Sequence, residues 1–382
     1  MNPWFDDKPR TPCLLLDVDR MTRNIQMMEG RAANLGVPLR PHVKTCKSAE
    51  VAQRLVGPEA RGITVSTLAE ANHFLEHGFD DQLYAVGISP GKLPAAADLL
   101  ARGARLMVTL DRPETAGRVA DAARRLQCPF EVLLEIDADG ERAGLAPDDA
   151  ALLECAKRLA DDCRVAGVMT HMGASYACRD ADCLARAAET ERAAVVEAAD
   201  RLRRAGFDTP VVSVGSTPTA RFARNLDGVT EIRTGTHVFM DLVMAGLGVC
   251  RIEDIAISVL TEIIGYRRDA GEWLCDAGWM ALSRDRGTAE QTIDQGYGLV
   301  CDEHGTVLDD VIVRATSQEH GILARRNGKP LGPDAFDVGQ HLHEEAALDP
   351  ARPFLSQRAY AHVSARYTKP AVTSRPDRKS VV

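Results

Sequence analysis

No run in this 382-residue sequence approaches the ~20 uninterrupted apolar residues that a membrane helix needs. None of the ten cysteines stands in a C-x-x-C pair, which removes support for a zinc ribbon or a thioredoxin-like redox motif. Aromatic residues are scarce, at 5%, so aliphatic side chains and alanine must fill most of the core. Positive charge is in deficit as well. The 46 Lys and Arg against 55 Asp and Glu give a net charge of −9, a poor electrostatic footprint for nucleic acid. The Met1-Asn2-Pro3-Trp4-Phe5 start has neither the basic segment nor the apolar run of a secretory signal. What these absences leave is small-molecule chemistry by a cytoplasmic protein with reduced thiols, acting on neither nucleic acid nor membrane.

What the chain does have is ordinary globular material, 45% hydrophobic and 26% charged, and enough length for a large barrel with a smaller domain. Short apolar runs alternate with Ala-, Leu- and Arg-rich segments up to about residue 240. The predicted strands are Cys13–Asp19, Leu39–Lys44, Gly62–Thr67, Leu83–Val86, Leu106–Asp111, Phe130–Asp137, Val165–Met172, Val211–Gly215 and Glu231–Val238. Helical patterns between them include Arg20–Leu35, Ala49–Leu55, Leu68–His77 and Asp182–Arg204, with Thr67 and Glu70 spaced as a capping box. Strands apolar throughout, rather than alternating, read as buried on both faces of a parallel sheet. The expectation is an α/β fold with a (β/α)8 barrel over 11–245, and a doubly wound open sheet as the alternative. From 246 to 345 the pattern changes to short strands with Asp/Gly turns: Ile255–Ile264, Glu272–Asp276, Tyr297–Cys301 and Val311–Ala315. This predicts an antiparallel β domain, which residues 1–10 are candidates to join. Residues 346–382 form an atypical basic tail. From Ala351 onward it holds seven Lys/Arg against one Asp and three prolines.

Five strand ends carry chemistry. Lys44, in Arg40-Pro41-His42-Val43-Lys44-Thr45, stands where catalytic groups of a barrel converge, and a partly desolvated amine there can attack a carbonyl cofactor. A plain solvated lysine is the competing reading. Arg142, in Asp137-Ala138-Asp139-Gly140-Glu141-Arg142, suits contact with a ring nitrogen or an acid group; pairing with Asp137 or Asp139 is the alternative. Val214-Gly215-Ser216-Thr217-Pro218-Thr219 and Gly235-Thr236 offer close backbone approach and hydroxyl donors to a phosphate. In Thr170-His171-Met172-Gly173-Ala174-Ser175-Tyr176, His171 can lie against a planar ring and Tyr176 can hydrogen-bond to one. A core histidine capped by a tyrosine fits equally well. Farther on, Asp276-Ala277-Gly278 and Gln318-Glu319-His320-Gly321 set polar groups among apolar runs, and His320 is a candidate acid or base.

Taken together, Pro41-His42-Val43-Lys44-Thr45 with Thr11-Pro12 resembles the pyridoxal-phosphate D-serine dehydratase and D-threonine aldolase family, barrel enzymes related to alanine racemase. The motifs at Asp139–Gly144, His171–Tyr176, Val214–Thr219, Asp276–Gly278 and Gln318–Gly321 fall in that family's order over roughly residues 10–340. Three runs (Gly62–Thr67, Trp279–Gly287, Gln318–Arg325) are similar to its dehydratase branch. The resemblance implies pyridoxal 5'-phosphate held by Lys44, which also removes the substrate α-proton, and Arg142 facing the pyridine nitrogen. It implies Tyr176, Thr217, Gly235 and Thr236 as further cofactor contacts, the last three near the phosphate, with His171 near the ring. The implied reaction eliminates water and then ammonia from a D-3-hydroxy amino acid such as D-threo-3-hydroxyaspartate or D-serine. Aldol cleavage to glycine and an aldehyde is one alternative, and a non-catalytic pyridoxal-phosphate protein is another. A homodimer is also implied, as is a divalent metal (Zn, Mn or Mg) bound by a Pro-Asn-His-x-Cys segment. In register, however, this chain reads Leu348 and Pro350 at the ligand positions. His341-Leu342-His343 has the spacing but lies seven residues early, and the switch near Gln340 reads as a shifted frame.

Overall fold

The computed structural model describes residues 10–57, 60, 62–302 and 305–344. Strand β1 (Cys13–Leu16) leads through Asp17, whose carboxylate caps the next helix by accepting from Arg20 N, into α1 (Val18–Leu35). After α2 (Ala49–Leu55) the chain alternates strand and helix: β2 (Ile63–Val65), α3 (Leu68–Glu76), β3 (Asp81–Gly87), α4 (Leu93–Ala101), β4 (Arg105–Leu110), α5 (Pro113–Leu126), β5 (Glu131–Ile136) and α6 (Ala150–Leu159). The alternation continues with β6 (Arg164–Thr170), α7 (Ala181–Arg204), β7 (Val211–Val214), α8 (Thr217–Phe222), β8 (Glu231–Ile232) and α9 (Leu242–Gly246). Strands β2 to β8 form one parallel sheet in sequence order.

The predicted strand Leu39–Lys44 does not form a regular ladder, because Pro38 and Pro41 have no N–H to donate. It nevertheless fills the eighth position. Arg40 N and His42 N donate to Ile232 O and Thr234 O (2.8 and 2.7 Å), while Val43 N and Thr64 N exchange bonds across to β2 (3.0 and 2.8 Å). The sheet is thereby closed from β8 back to β2. Alanine does the packing that the scarcity of aromatics requires: α5 presents Ala116, Val119, Ala120 and Ala123 to the sheet, all buried. At α3, Thr67 Oγ1 accepts from Glu70 N (3.0 Å), but Glu70 returns its bond to Ser66 N (2.7 Å), one residue before the reciprocal capping-box position.

The predicted first barrel strand belongs elsewhere. Cys13–Leu16 pairs antiparallel with β9 (Ile257–Arg267), Cys13 opposite Leu260, because the barrel position it would occupy is taken by residues 38–43. The second sheet continues through β10 (Glu272–Cys275), β11 (Leu299–Cys301), β12 (Val307–Thr316), β13 (Gly321–Arg325) and β14 (His341–Glu344), in the order β1-β9-β10-β13-β12-β11-β14. β14 also pairs with β9, so this sheet closes on itself around Val259, Ile263, Trp273, Val313, Leu323 and Leu342. Strands β13 and β14 were not among the predicted runs. The thiol expectation is corrected too: Cys178 and Cys183 are joined as a disulfide, while the other eight cysteines form none. Among the described residues no helix is long and apolar enough to cross a membrane.

Candidate active site

At the carboxyl ends of the barrel strands lies a cleft with an empty volume of about 620 Å³, its mouth included. Its lining contains Lys44, Arg142, His171, Tyr176, Thr217, Gly235 and Thr236 together, joined by His42, Glu135, Ser216 and Arg233. Lys44 follows the closing segment and extends into the cleft. Its surface is open, yet the surrounding protein still strips water from the amine, and that burial lowers its pKa first, with Arg142 and Arg233 adding to it and Glu70 opposing. The loop after Lys44 is tied down by Glu70, which pairs with Lys47 (3.2 Å) while holding Ser66 N.

Arg142 pairs with neither Asp137 nor Asp139, because backbone amides have taken both carboxylates. Asp137 accepts from Asp139 N and Gly140 N (3.1 and 2.7 Å); Asp139 accepts from Glu141 N and Ala174 N (3.1 and 2.8 Å). The guanidinium is therefore left exposed at the cleft, unspent on structure. In the same lining, two glycines let neighbouring strand ends pack tightly. A Cβ on Gly215 would stand 2.0 Å from Arg233 O, and one on Gly235 would stand 2.9 Å from both His42 O and Thr45 Oγ1. The buried Thr217 Oγ1 between them has no partner among the described residues. A planar anionic cofactor fits this chemistry: an amine at one side, a bare cation at another, and a tight glycine and hydroxyl wall with an unused donor.

Below the cleft the barrel is polar. Arg40 Nε donates to Glu231 (2.8 Å) and its Nη1 to Asp81 (2.6 Å), while Ser213 Oγ donates to the other Glu231 oxygen (2.6 Å). Arg233, 5% exposed, donates to Ser213 Oγ and Thr170 O. Sequence reasoning assigned no role to Glu135, Glu191 or Arg233. The alternation Glu231-Ile232-Arg233 was the one available signal, since a charged residue every second position on an otherwise apolar strand points inward with its neighbour of opposite sign.

His171 Nδ1 lies 2.6 Å from Gly215 O, which fixes the proton on Nδ1 and leaves Nε2 as the free nitrogen. Burial, countered by that bond, holds its pKa down at about 4; burial alone does the same for His237, whose two ring nitrogens find no partner among the described residues. Both rings are neutral in the folded protein, whereas an unfolded histidine takes its proton near pH 6.5. Stability is therefore constant above pH 6.5 and falls as the pH drops toward 4, by about 2.5 kcal/mol per ring at pH 4.5. Urea unfolding of His237→Phe at pH 7 and pH 4.5 is expected to show that share of the pH dependence gone; an unchanged drop would exclude the assignment.

The second-domain motifs hold one another in place. Asp276 accepts from Thr261 Oγ1 and Glu262 N (2.8 and 2.9 Å), and Trp279 N donates to Ser317 O (2.9 Å), so the 276–279 and 317–320 turns brace one another. His320 is exposed and does not line the cleft. For the implied divalent ion the donor set does not fit. No group of three or more His, Cys, Asp or Glu comes together among the described residues. His341 faces Glu262 across the β14–β9 ladder. Leu348 and Pro350 lie outside the described residues, and neither type carries a side-chain donor atom. No step of the reaction is assigned to a metal here.

A closed parallel barrel with a cationic cleft at its strand ends, followed by an antiparallel barrel-like domain, defines an enzyme of the alanine racemase fold. Residues 16–243 match the family "Alanine racemase, N-terminal domain" and residues 256–344 match "Putative serine dehydratase domain". The chain belongs to this family of two-domain enzymes. It is 50% identical over 320 residues to the D-threo-3-hydroxyaspartate dehydratase of Delftia sp. (strain HT23), covering 83% of this chain and 84% of that protein. The solved cysteine-to-alanine variant of a D-threo-3-hydroxyaspartate dehydratase, in its metal-free form, superposes with a TM-score of 0.87 at 48% identity, covering 89% and 91%. The D-serine dehydratase of Dictyostelium discoideum is 32% identical over 90% of this chain and 91% of its own. More distant is the D-threonine aldolase of Filomicrobium marinum, with a TM-score of 0.69 and 27% identity over 88% and 87%.

Proposed function

We propose that this protein is a pyridoxal-phosphate lyase that removes water and then ammonia from a D-3-hydroxy amino acid, giving a 2-oxo acid. The observation that carries the reading is the placement of Lys44: one amine with a depressed pKa, in a cleft whose lining also holds Arg142, Gly215, Thr217, Gly235 and Thr236. Within it, Lys44 anchors the cofactor and is the base for the substrate α-proton. Arg142 faces the pyridine nitrogen, Thr217 and Thr236 donate to the phosphate at the Gly235 turn, and His171 and Tyr176 flank the ring. When bound, the cofactor supplies the electron sink for the α-carbanion. The lowered pKa matters because a neutral amine can accept the proton that an ammonium cannot.

A domain division at 245/246, with Cys13–Leu16 of the predicted 11–245 barrel passing to the β domain at 246–345, and a homodimer are parts of the same proposal. Support for dehydration over aldol cleavage comes from the relatives: the one at 50% identity is named a dehydratase, and the aldolase stands at 27%. The assay measures ammonia from D-threo-3-hydroxyaspartate and D-serine against glycine from D-threonine. Ammonia with an equal amount of 2-oxo acid is expected. Glycine as the main product would replace this reading with the aldolase one, and turnover of neither would favour a non-catalytic carrier.

A further inference from the structure

The residue that aligns the floor of the cleft does not touch it. Helix α7 packs behind β6 and β7, and from it Glu191, 2% exposed, sends a carboxylate between the two strand ends. One oxygen, Oε1, accepts from Met172 N and from Gly215 N, each at 3.1 Å. The Thr219 side chain hydrogen-bonds the same carboxylate. The paired ladder of β6 and β7 ends at Met169 and Ser213, so these two amides have passed beyond the reach of strand pairing. A buried N–H without an acceptor is costly, and one oxygen here satisfies two of them.

What those amides belong to gives the contact its meaning. Met172 follows His171, and Gly215 precedes the Ser216-Thr217 turn. The same Gly215 receives His171 Nδ1–H at its carbonyl. Ser175 Oγ is fixed to Met172 O (2.8 Å) and lies 3.4 Å from Ser216 Oγ. The ring histidine and the hydroxyl turn are therefore two loops held in register through a single carboxylate. We infer that Glu191 is a positioning residue for cofactor binding, a two-pronged acceptor that sets His171 against the Ser216-Thr217 wall. This rests on the pyridoxal-phosphate reading above.

A charge role and an acceptor role make opposite demands, which allows them to be separated. Glutamine keeps Oε1 in place and discards the charge. Burial raises the Glu191 carboxyl above its ordinary range. Aspartate keeps the charge but is one methylene too short to reach both amides.

The experiment purifies wild type, Glu191→Gln, Glu191→Asp and Glu191→Leu in the cofactor-free state. It measures hydrogen–deuterium exchange of peptides containing Met172 and Gly215, and then pyridoxal 5'-phosphate affinity by the change in the visible absorption band. Expected are wild-type protection and affinity within about threefold for Gln, but fast exchange at those peptides and about tenfold weaker binding for Asp and Leu. If Leu does not fold, the Gln and Asp pair decides. Wild-type behaviour in Asp together with weak binding in Gln would overturn the acceptor role in favour of charge. Unchanged exchange and affinity in Asp and Leu would overturn positioning altogether. Failure of the wild-type chain to bind the cofactor would sink the functional reading and with it the positioning of that cofactor, while the exchange data would still score the two amide bonds.

Discussion

Replacing Lys44 with alanine is expected to leave a protein that borohydride no longer labels with pyridoxal phosphate, and to lower turnover by roughly 10³-fold or more. The size of the effect follows from the cleft's composition. Lys44 is the one lysine on its wall among the described residues. The nearby Lys47 is committed to Glu70, and Lys92 donates to Tyr84 OH (2.9 Å). No second amine can take over both anchoring and proton removal. Lys44→Arg separates charge from nucleophilicity: it keeps a cation in the cleft yet cannot be deprotonated at neutral pH, and should be as inactive as alanine. Peptide mapping after reduction reads the outcome directly. A label that persists in Lys44→Ala would move the anchor elsewhere and remove the basis of the proposed mechanism.

Local pattern and distant pairing divide what the sequence reveals. Helix α2 starts and stops where its capping Ser48 and apolar spacing place it, and the residues named at five strand ends line one cleft. Both follow from local rules: a cap is read within one turn, and consecutive βα units deliver their strand ends to one rim. The sheet to which β1 belongs is another matter. Cys13 meets Leu260, nearly 250 residues on, and nothing in Cys13-Leu14-Leu15-Leu16 distinguishes a barrel strand from an edge-on partner of β9. Its apolar run is equally at home in either sheet.

Charged residues are hard to read for a related reason. In α7, Glu191 sits among Glu189, Arg192 and Glu197 with nothing local to single it out, and the packing of the helix behind β6 and β7 turns this one carboxylate inward. For Arg142 the sequence leaves cofactor contact and pairing with Asp137 or Asp139 both open, because opposite charges stand close in sequence. Backbone amides reach those carboxylates first in a tight loop, and the arginine is released to the cleft. In both cases the deciding competitor is a backbone N–H, which every residue carries and which no composition count registers.

The carboxyl end sets the other large expectation. The departure from the family begins later than the composition change near Gln340 implies: His341–Glu344 is a strand paired on both sides, and the serine dehydratase match runs to residue 344. His341 and His343 are thus ladder residues of β14 in the second sheet, and the ligand register at 348 and 350 still reads Leu and Pro. Departure of a β-hydroxyl without a Lewis acid forfeits several kcal/mol, so turnover is expected to be roughly 10²–10³-fold below that of a metal-assisted enzyme, while cofactor affinity is ordinary. Metal analysis of the purified protein should find well under one Zn, Mn or Mg per chain, and a chelator should change the rate by less than about twofold. One tightly bound ion with chelator-sensitive turnover would mean that a donor set has been rebuilt from other residues. His341→Ala and His343→Ala would then show whether β14 supplies it, since loss of the ion in either variant locates a ligand and its retention in both sends the search to the chain beyond Glu344.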